Sequence, residues 1–387
     1  MQRIVIVGGG IMGSSIAYHL AVAGAAADVV VVEPDPTYEF AATPRAVGGV
    51  RLQHALPENV AMSLYGDTVY SDFATHVNGG TVEFDPQFRR IGYLYQVRGA
   101  ADVAALEANA AMQRRLGVEV HLLDRVALRR RYPSFNFNDV DAAALSPADG
   151  QIDPYGALMG FRRAAEGRGI TYLQDRVVGL DVADGKVTVA RLESGSSLAV
   201  DTLVNVANCW AAGICAMVGM QVPIAPMRRQ QFFFDTRDPI ETIPAMRHAS
   251  GLAIRPHQKG YLTGYTRFDE PRGFNWTLDP DLFNDFLWPQ IAEKSTAFEA
   301  VKEKGGWVGH YDMNSLDGNA VIDRFPPVPN FILAAGFSGH GLQHGPAVGR
   351  AVKEMILDGG FRSIDLSRLS YRRIVENTPL PDDGPKA

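Results

Sequence analysis

The sequence predicts an α/β fold in which a parallel sheet is interleaved with a second, β-rich region. Three observations lead there. Residues 3–33 read as strand, glycine turn, helix and strand; residues 331–357 repeat the strand, turn and helix; residues 221–320 carry short β-rich runs instead.

The first unit is the most explicit. Ile4 to Val7 is a continuous apolar run of the kind a parallel sheet buries on both faces, and Gly8, Gly10 and Gly13 follow at the spacing of a dinucleotide-binding turn. Gly8 permits the tight turn, Gly10 lets backbone approach a pyrophosphate, and Gly13 lets the helix lie close to its strand. Ile11 and Met12 open that helix, whose positive end faces the pyrophosphate, and it runs to about Ala23. A second apolar strand, Val29 to Val32, ends in Glu33 and Pro34. Glu33 stands twenty residues after Gly13, where a carboxylate accepts hydrogen bonds from both ribose hydroxyls and disfavours a 2′-phosphate.

Pro34 to Pro57 is rich in proline and glycine and reads as a long functional loop, in which Arg45, Ala46, Gly48, Gly49, Arg51 and His54 bring cations and flexible backbone to a ligand. A helix is expected from Glu58 to Val77, strands at Val82 to Phe84 and Gly92 to Gln96, and a helix from Ala101 to Leu116 closed by Gly117. Asp124 and the pair Asp153-Pro154 open two further helices. Residues 176–207 read as an antiparallel meander that returns to the parallel sheet through Thr202 to Ala207. Beyond residue 221, β-rich runs flank a helical stretch from Asp281 to Glu299 interrupted at Pro289. The expected division is 1–78, 146–218 and 322–375 for the nucleotide domain, 79–145 and 219–321 for the substrate domain, and a flexible tail over 376–387.

Phe331 to Ala335 is a strand, Gly336 to Gly341 a glycine turn, and Pro346 to Leu357 a helix. Two such units can set two helix N-termini against one long ligand. The first suits a pyrophosphate and the second a group that becomes anionic, as the N1–C2=O edge of a reduced flavin does. That pairing selects FAD over NAD.

Composition narrows the field. The net charge is −6 with no basic stripe, which excludes nucleic acid, and no apolar run is long enough to span a bilayer. Arg129 to Arg131 read as the last turn of a solvated helix. Cys209 and Cys215, the two cysteines, form neither a disulfide framework nor a metal site and read as buried thiols in a reducing compartment. The chain enters its first strand within three residues, so no leader and a cytoplasmic location are expected.

With these residues assembled, the chain resembles the D-amino-acid oxidase and sarcosine oxidase superfamily of FAD-dependent amine oxidoreductases. The resemblance rests on Val7 to Gly13 with Glu33, Gly48 to Arg51, Asp149 to Pro154, Asn205 to Trp210, and Gly336 to Gly341 with its helix. Gly309 to Asp323 is similar to a subgroup that includes a mitochondrial complex I assembly factor and oxidases of N-substituted glycines such as iminodiacetate. It implies a Rossmann-type FAD-binding domain interleaved with a β-sheet-rich substrate domain. It also implies Arg51 as a cation over the flavin, Val177 at the adenine, Asn208, Trp210 and Gly336 beside the cofactor, and Gly339, His340, Gly341, Leu342 and Gln343 along the pyrimidine edge. Where monomeric sarcosine oxidases hold the substrate carboxylate with an arginine and a lysine, His54 and Gln343 stand here. Their flavin-tethering cysteine falls near Gly309 or His310, which implies non-covalent FAD, and their oxygen-activating lysine falls near Leu262, with Lys259 a loose substitute.

The expected substrate is a small carboxylate-bearing amine, oxidised at its C–N bond by hydride transfer to flavin N5. Arg255 is the candidate carboxylate anchor, because arginine grips a carboxylate bidentately; Arg267 is a weaker one. His54, Arg51 and Gln343 are candidate substrate contacts, and Tyr261 and Tyr265, two apart on one strand, either pack in the core or line the substrate cavity. An oxidase using O2 is favoured over a dehydrogenase that passes electrons to a carrier protein or quinone, with a non-catalytic assembly flavoprotein as the third reading. A monomer or small homo-oligomer is expected.

Overall fold

The structure is a computed structural model that describes residues 3–78, 84–266 and 270–380. At its centre is a six-stranded sheet ordered Val321–Phe325, Val328–Ala335, Thr202–Asn205, Ile4–Val7, Val29–Val32 and Thr171–Leu173. All neighbours run parallel except the first two strands, which form a hairpin. The strand Ile4–Val7 is buried throughout because both faces are covered. Ile4 and Ile6 pack under the helices Ile11–Val22, Pro154–Glu166 and Gly341–Leu357. Val5 and Val7 meet an antiparallel meander of Val177–Ala183, Lys186–Leu192 and Ser197–Ala199. The period-two alternation of a strand thus splits its side chains between two cores.

The second large sheet has eight strands, ordered Val301–Asn314, Ile224–Thr236, Gly260–Tyr265, Leu252–His257, Ala245–Arg247, Tyr93–Val97, Ala142–Ser146 and His121–Asp124. A small sheet of Gly49–Val50, Gly150–Gln151 and Arg89–Arg90 lies between. The β-rich reading of residues 221–320 is therefore part of one wide, mostly antiparallel sheet.

Several boundaries differ from expectation for identifiable reasons. The helix begun by Pro57 stops at Ser71, and a wider, π-type turn follows at Ala74–Asn78. Most of the strand expected over 82–84 lies outside the described residues. Pro289 does not end the helical stretch: a wider, π-type helix Leu282–Leu287 runs directly into the α-helix Trp288–Lys294, and the winding changes next to the proline, which cannot donate to the preceding turn. The segment Thr378 to Leu380 is tied down, with the Leu380 amide donating to Asp317 Oδ2 at 3.1 Å; residues 381–387 lie outside the described ones.

The last helix is the clearest departure. It begins at Gly341, five residues before Pro346, so the proline lies inside it. Proline leaves the Leu342 carbonyl without its i+4 donor, and the Tyr70 hydroxyl takes that place at 2.7 Å. A buried carbonyl without a donor costs about 1–3 kcal/mol. Tyr70→Phe is therefore expected to lose about that much stability, read by urea unfolding; an unchanged midpoint would show that the carbonyl finds another donor.

Candidate active site

A cavity of about 760 Å³ runs between the two large sheets, within the range of about 300–1,000 Å³ usual for cofactor sites. Its first end is the glycine turn. Gly8, Gly10, Ile11 and Met12 line it, and Glu33 and Pro34 follow. Gly13 lies beneath instead: a Cβ there would come within 1.9 Å of the Gly8 carbonyl oxygen, so the residue sets how closely helix and strand approach. Glu33 Oε2 accepts from the Gly9 amide at 2.7 Å and Oε1 from the Asp35 amide at 3.0 Å. Burial raises its pKa while those amides oppose the rise. Val177 lines the same end with Asp175 and Arg176.

The proline-rich loop crosses the cavity wall, and Arg45, Ala46, Gly48, Gly49 and Arg51 all line it. Arg45 is clamped between sheets: its Nη1 donates to the Val308 carbonyl at 2.8 Å, and Trp307 Nε1 donates to the Arg45 carbonyl at 2.9 Å. Its guanidinium lies over the rings of Phe40 and Trp276, at 5.6 and 5.2 Å from their centroids. Arg51 is buried, and its Nε has no hydrogen-bond partner among the described residues. Burial disfavours its charge, but Tyr95, Tyr93, Tyr311 and Asp149 outweigh that and hold its pKa above the ordinary value.

His54 and Gln343 do not reach the cavity lining. They form a buried support behind Arg51, in which Gln343 Oε1 accepts from the Arg51 amide at 3.1 Å and Gln343 Nε2 lies 2.9 Å from His54 Nε2. The loop histidine is thus a core residue, neutral because burial and the Arg51 charge lower its pKa well below the usual value. His340 also lies behind the lining, its ring edge-on to His54 at 5.2 Å.

In the second turn Gly339, Gly341 and Leu342 line the cavity, whereas Gly336 does not. Gly339 has φ +100°, and a Cβ there would lie 2.5 Å from the Tyr311 ring. Asp312, from the wide sheet, accepts from the Gly336 and Phe337 amides at 2.7 and 3.1 Å and so fastens the turn. Burial raises its carboxyl to about 6 against the pull of those amides. Asn208 and Trp210 close the opposite wall, Asn208 with φ +49° and with an Oδ1 that has no partner among the described residues.

The wide sheet forms the other end of the cavity, and here the sequence reading is corrected. Arg255 is buried but does not line the cavity; its side chain hydrogen-bonds Tyr93, which does. Tyr261 packs on Phe234 and Phe298, and Tyr265 on Phe286, so both take the core role because their strand face meets an aromatic cluster. Arg267 lies outside the described residues. The cations that line this end are Arg229 and Arg247, with Gln231, Tyr93 and Tyr311. Arg229 and Gln231 are two apart on one strand and so share a face, a signal visible in the sequence, but only the register of the sheet shows that this face is the cavity's.

The residues present fit FAD. The glycine turn at a helix N-terminus would hold the pyrophosphate and Glu33 a ribose, and Arg51 Nε, Asn208 Oδ1 and His310 Nδ1, which have no hydrogen-bond partner among the described residues, are buried polar atoms around the cavity that a polar ligand would satisfy. Cys209 and Cys215 are buried and absent from the lining, and burial pushes the Cys215 thiol up to about 12. Among the described residues no cluster could hold a metal ion, and no helix is long and apolar enough to cross a membrane.

Comparison with known proteins agrees with this fold and this cofactor. The family model described as FAD dependent oxidoreductase matches residues 3–355. The chain is 35% identical to FAD-dependent oxidoreductase domain-containing protein 1 of Xenopus laevis, over 97% of this chain and 83% of that protein. It is 24% identical to the monomeric sarcosine oxidase of a Bacillus species, over 96% and 95% of the two chains. Among solved structures, L-proline dehydrogenase from P. horikoshii superposes with a TM-score of 0.86 at 25% identity, covering 98% of this chain and 99% of that one. The match spans nearly the whole chain, and the chain belongs to the DAO family of FAD-dependent oxidoreductases.

Proposed function

We propose that the protein oxidises the C–N bond of a small secondary amino acid or iminodiacid, an N-substituted glycine, giving an imine that water hydrolyses to an oxo acid such as glyoxylate and an amine. The observation that carries this reading is the far end of the cavity, where the guanidinium groups of Arg229 and Arg247 converge with Tyr93, Tyr311 and Gln231. Bound FAD supplies the two-electron acceptor for a hydride leaving carbon. The chain's own residues do the rest: Arg229 grips the substrate carboxylate, Arg51 keeps its charge beside the reacting centre, and the Tyr93 and Tyr311 rings narrow the space in which the amine can turn. His54 and Gln343 position Arg51 through its backbone. Sequence similarity to a sarcosine oxidase supports the substrate class.

Oxygen as the final acceptor, non-covalent FAD and a cytoplasmic location belong to the same reading. Its test is a panel of N-substituted glycines added to the yellow holoprotein in air. Bleaching with peroxide release is expected. Bleaching that requires an added dye would make the protein a dehydrogenase, and a flavin left oxidised by every amine would remove the catalytic reading in favour of an assembly role.

A further inference from the structure

The rim of the cavity carries aromatic rings where it meets solvent. Phe40, Trp210 and Phe274 line the cavity and are still 45%, 40% and 43% exposed, whereas Tyr93 and Arg229 at the far end are buried. A contiguous apolar patch left in water beside a ligand site marks a binding feature. With Trp276 these rings form an unbroken row. Phe40 meets Trp276 at 4.8 Å between centroids, Trp276 meets Phe274 at 5.9 Å, and Phe274 stacks on Trp210 at 4.9 Å.

The row joins two parts of the fold. Phe40 follows the strand Val29–Val32 and Trp210 follows Thr202–Asn205, both of the parallel sheet, whereas Phe274 and Trp276 belong to residues 270–279 on the side of the wide sheet. The backbone of 270–279 is pinned to that sheet: the Gly273 amide donates to the Pro226 carbonyl at 2.8 Å, the Asn275 amide to His310 Nε2 at 3.0 Å, and the Asp279 amide to Gln230 Oε1 at 2.6 Å. His310 can accept because burial, with the charges of Arg228 and Arg45, lowers its pKa to about 4 and keeps the ring neutral. Toward the parallel sheet the same segment sets ring against ring. Such contacts are individually weak and part without breaking a hydrogen bond, so these two side chains can swing on a fixed backbone.

We propose that Phe274 and Trp276 form a bar across the rim, latched to Trp210 and Phe40, which must swing aside for FAD to enter or leave. This rests on the non-covalent FAD of the reading above and not on its amine substrate. The bar acts on rates. A latch that slows entry and exit by the same factor lengthens residence and leaves affinity unchanged, whereas a ring that merely holds bound FAD changes exit and affinity together.

Both quantities are read from flavin fluorescence after dilution of the holoprotein, the release rate from the approach to equilibrium and the dissociation constant from its end point. Phe274→Ala is expected to speed release about tenfold while the dissociation constant moves less than about threefold. Phe40→Ala, which undoes the latch from the opposite side, is expected to act in the same direction. Phe286→Ala is the control: it removes a ring that is 38% exposed and packs on Tyr265 away from the lining, and is expected to leave both quantities unchanged. Release within about twofold of wild type in both Phe274→Ala and Phe40→Ala overturns the proposal. So does a dissociation constant that rises as much as the rate, which would make the rings ordinary contacts of the cofactor. Flavin that stays with the acid-precipitated chain is covalently bound and overturns it as well. Flavin reduction by amine tests the reaction separately, so the bar can fail while amine oxidation stands, and the reverse.

Discussion

Gly13→Ala is expected to yield protein with little or no bound flavin and a stability loss of about 3 kcal/mol or more. The added methyl would sit 1.9 Å from the Gly8 oxygen, 3.0 Å from the Gly8 carbonyl carbon and 3.4 Å from Ile6 Cγ2. Two of those atoms are backbone in the buried strand-to-helix turn, so no side-chain rotation relieves the overlap and the helix Ile11–Val22 must move off its sheet. That movement carries the Gly10 to Met12 backbone away from the cavity. Gly360→Ala is the control, since a Cβ there meets nothing within 4 Å and the change is expected to stay within about 0.5 kcal/mol. Urea unfolding and flavin absorbance decide it: a Gly13→Ala protein that unfolds like the wild type with full flavin would show that the turn tolerates the methyl.

Arg51→Met is expected to slow reduction of the flavin by amine about 100- to 1,000-fold, the usual loss when one preorganised charge is removed from a reacting centre. Anaerobic stopped-flow absorbance reads this directly, and a rate within threefold of wild type would separate Arg51 from the chemistry. The same variant has a pH signature. Burial raises Asp149 to about 7 even with the Arg51 charge nearby to lower it, so removing that charge raises the carboxyl further. A folded-state pKa above the unfolded value means that the folded protein binds the extra proton. The contribution is therefore full below the unfolded pKa of about 4 and is lost as pH rises through the folded one. Arg51→Met is thus expected to be more severely destabilised at pH 8 than at pH 6, relative to wild type. A pH-independent difference would mean that Asp149 does not feel Arg51.

The parallel sheet was legible because Ile4 to Val7 and Val29 to Val32 are buried on both faces, and an uninterrupted apolar run between glycine signals has few other uses. The start of the last helix was not, because Pro346 looks like a first-turn residue until Tyr70 is seen to occupy the carbonyl it leaves open. The cavity wall formed by the wide sheet was harder still. In Leu252–His257 both Ile254 and Arg255 are buried, so alternation does not say which of them faces a ligand. Arg255 was the reasonable choice by residue type, and Arg229 lines the cavity through sheet register, which depends on contacts between distant strands. His54 illustrates the same limit: a histidine in a proline-rich loop looks exposed until Gln343, 289 residues away, is placed beside it.

The clamp around Arg45 has a practical side. The chain has four tryptophans, and three of them gather at this place: Trp210 and Trp276 line the cavity, and Trp307 holds the Arg45 carbonyl. The fourth, Trp288, donates its indole N–H to the Phe298 carbonyl at the edge of the wide sheet's aromatic cluster. Isoalloxazine absorbs where indole emits. The protein therefore carries an intrinsic optical gauge of its own loading, in which ultraviolet-excited emission dims as flavin enters and returns when it is stripped, with no label attached.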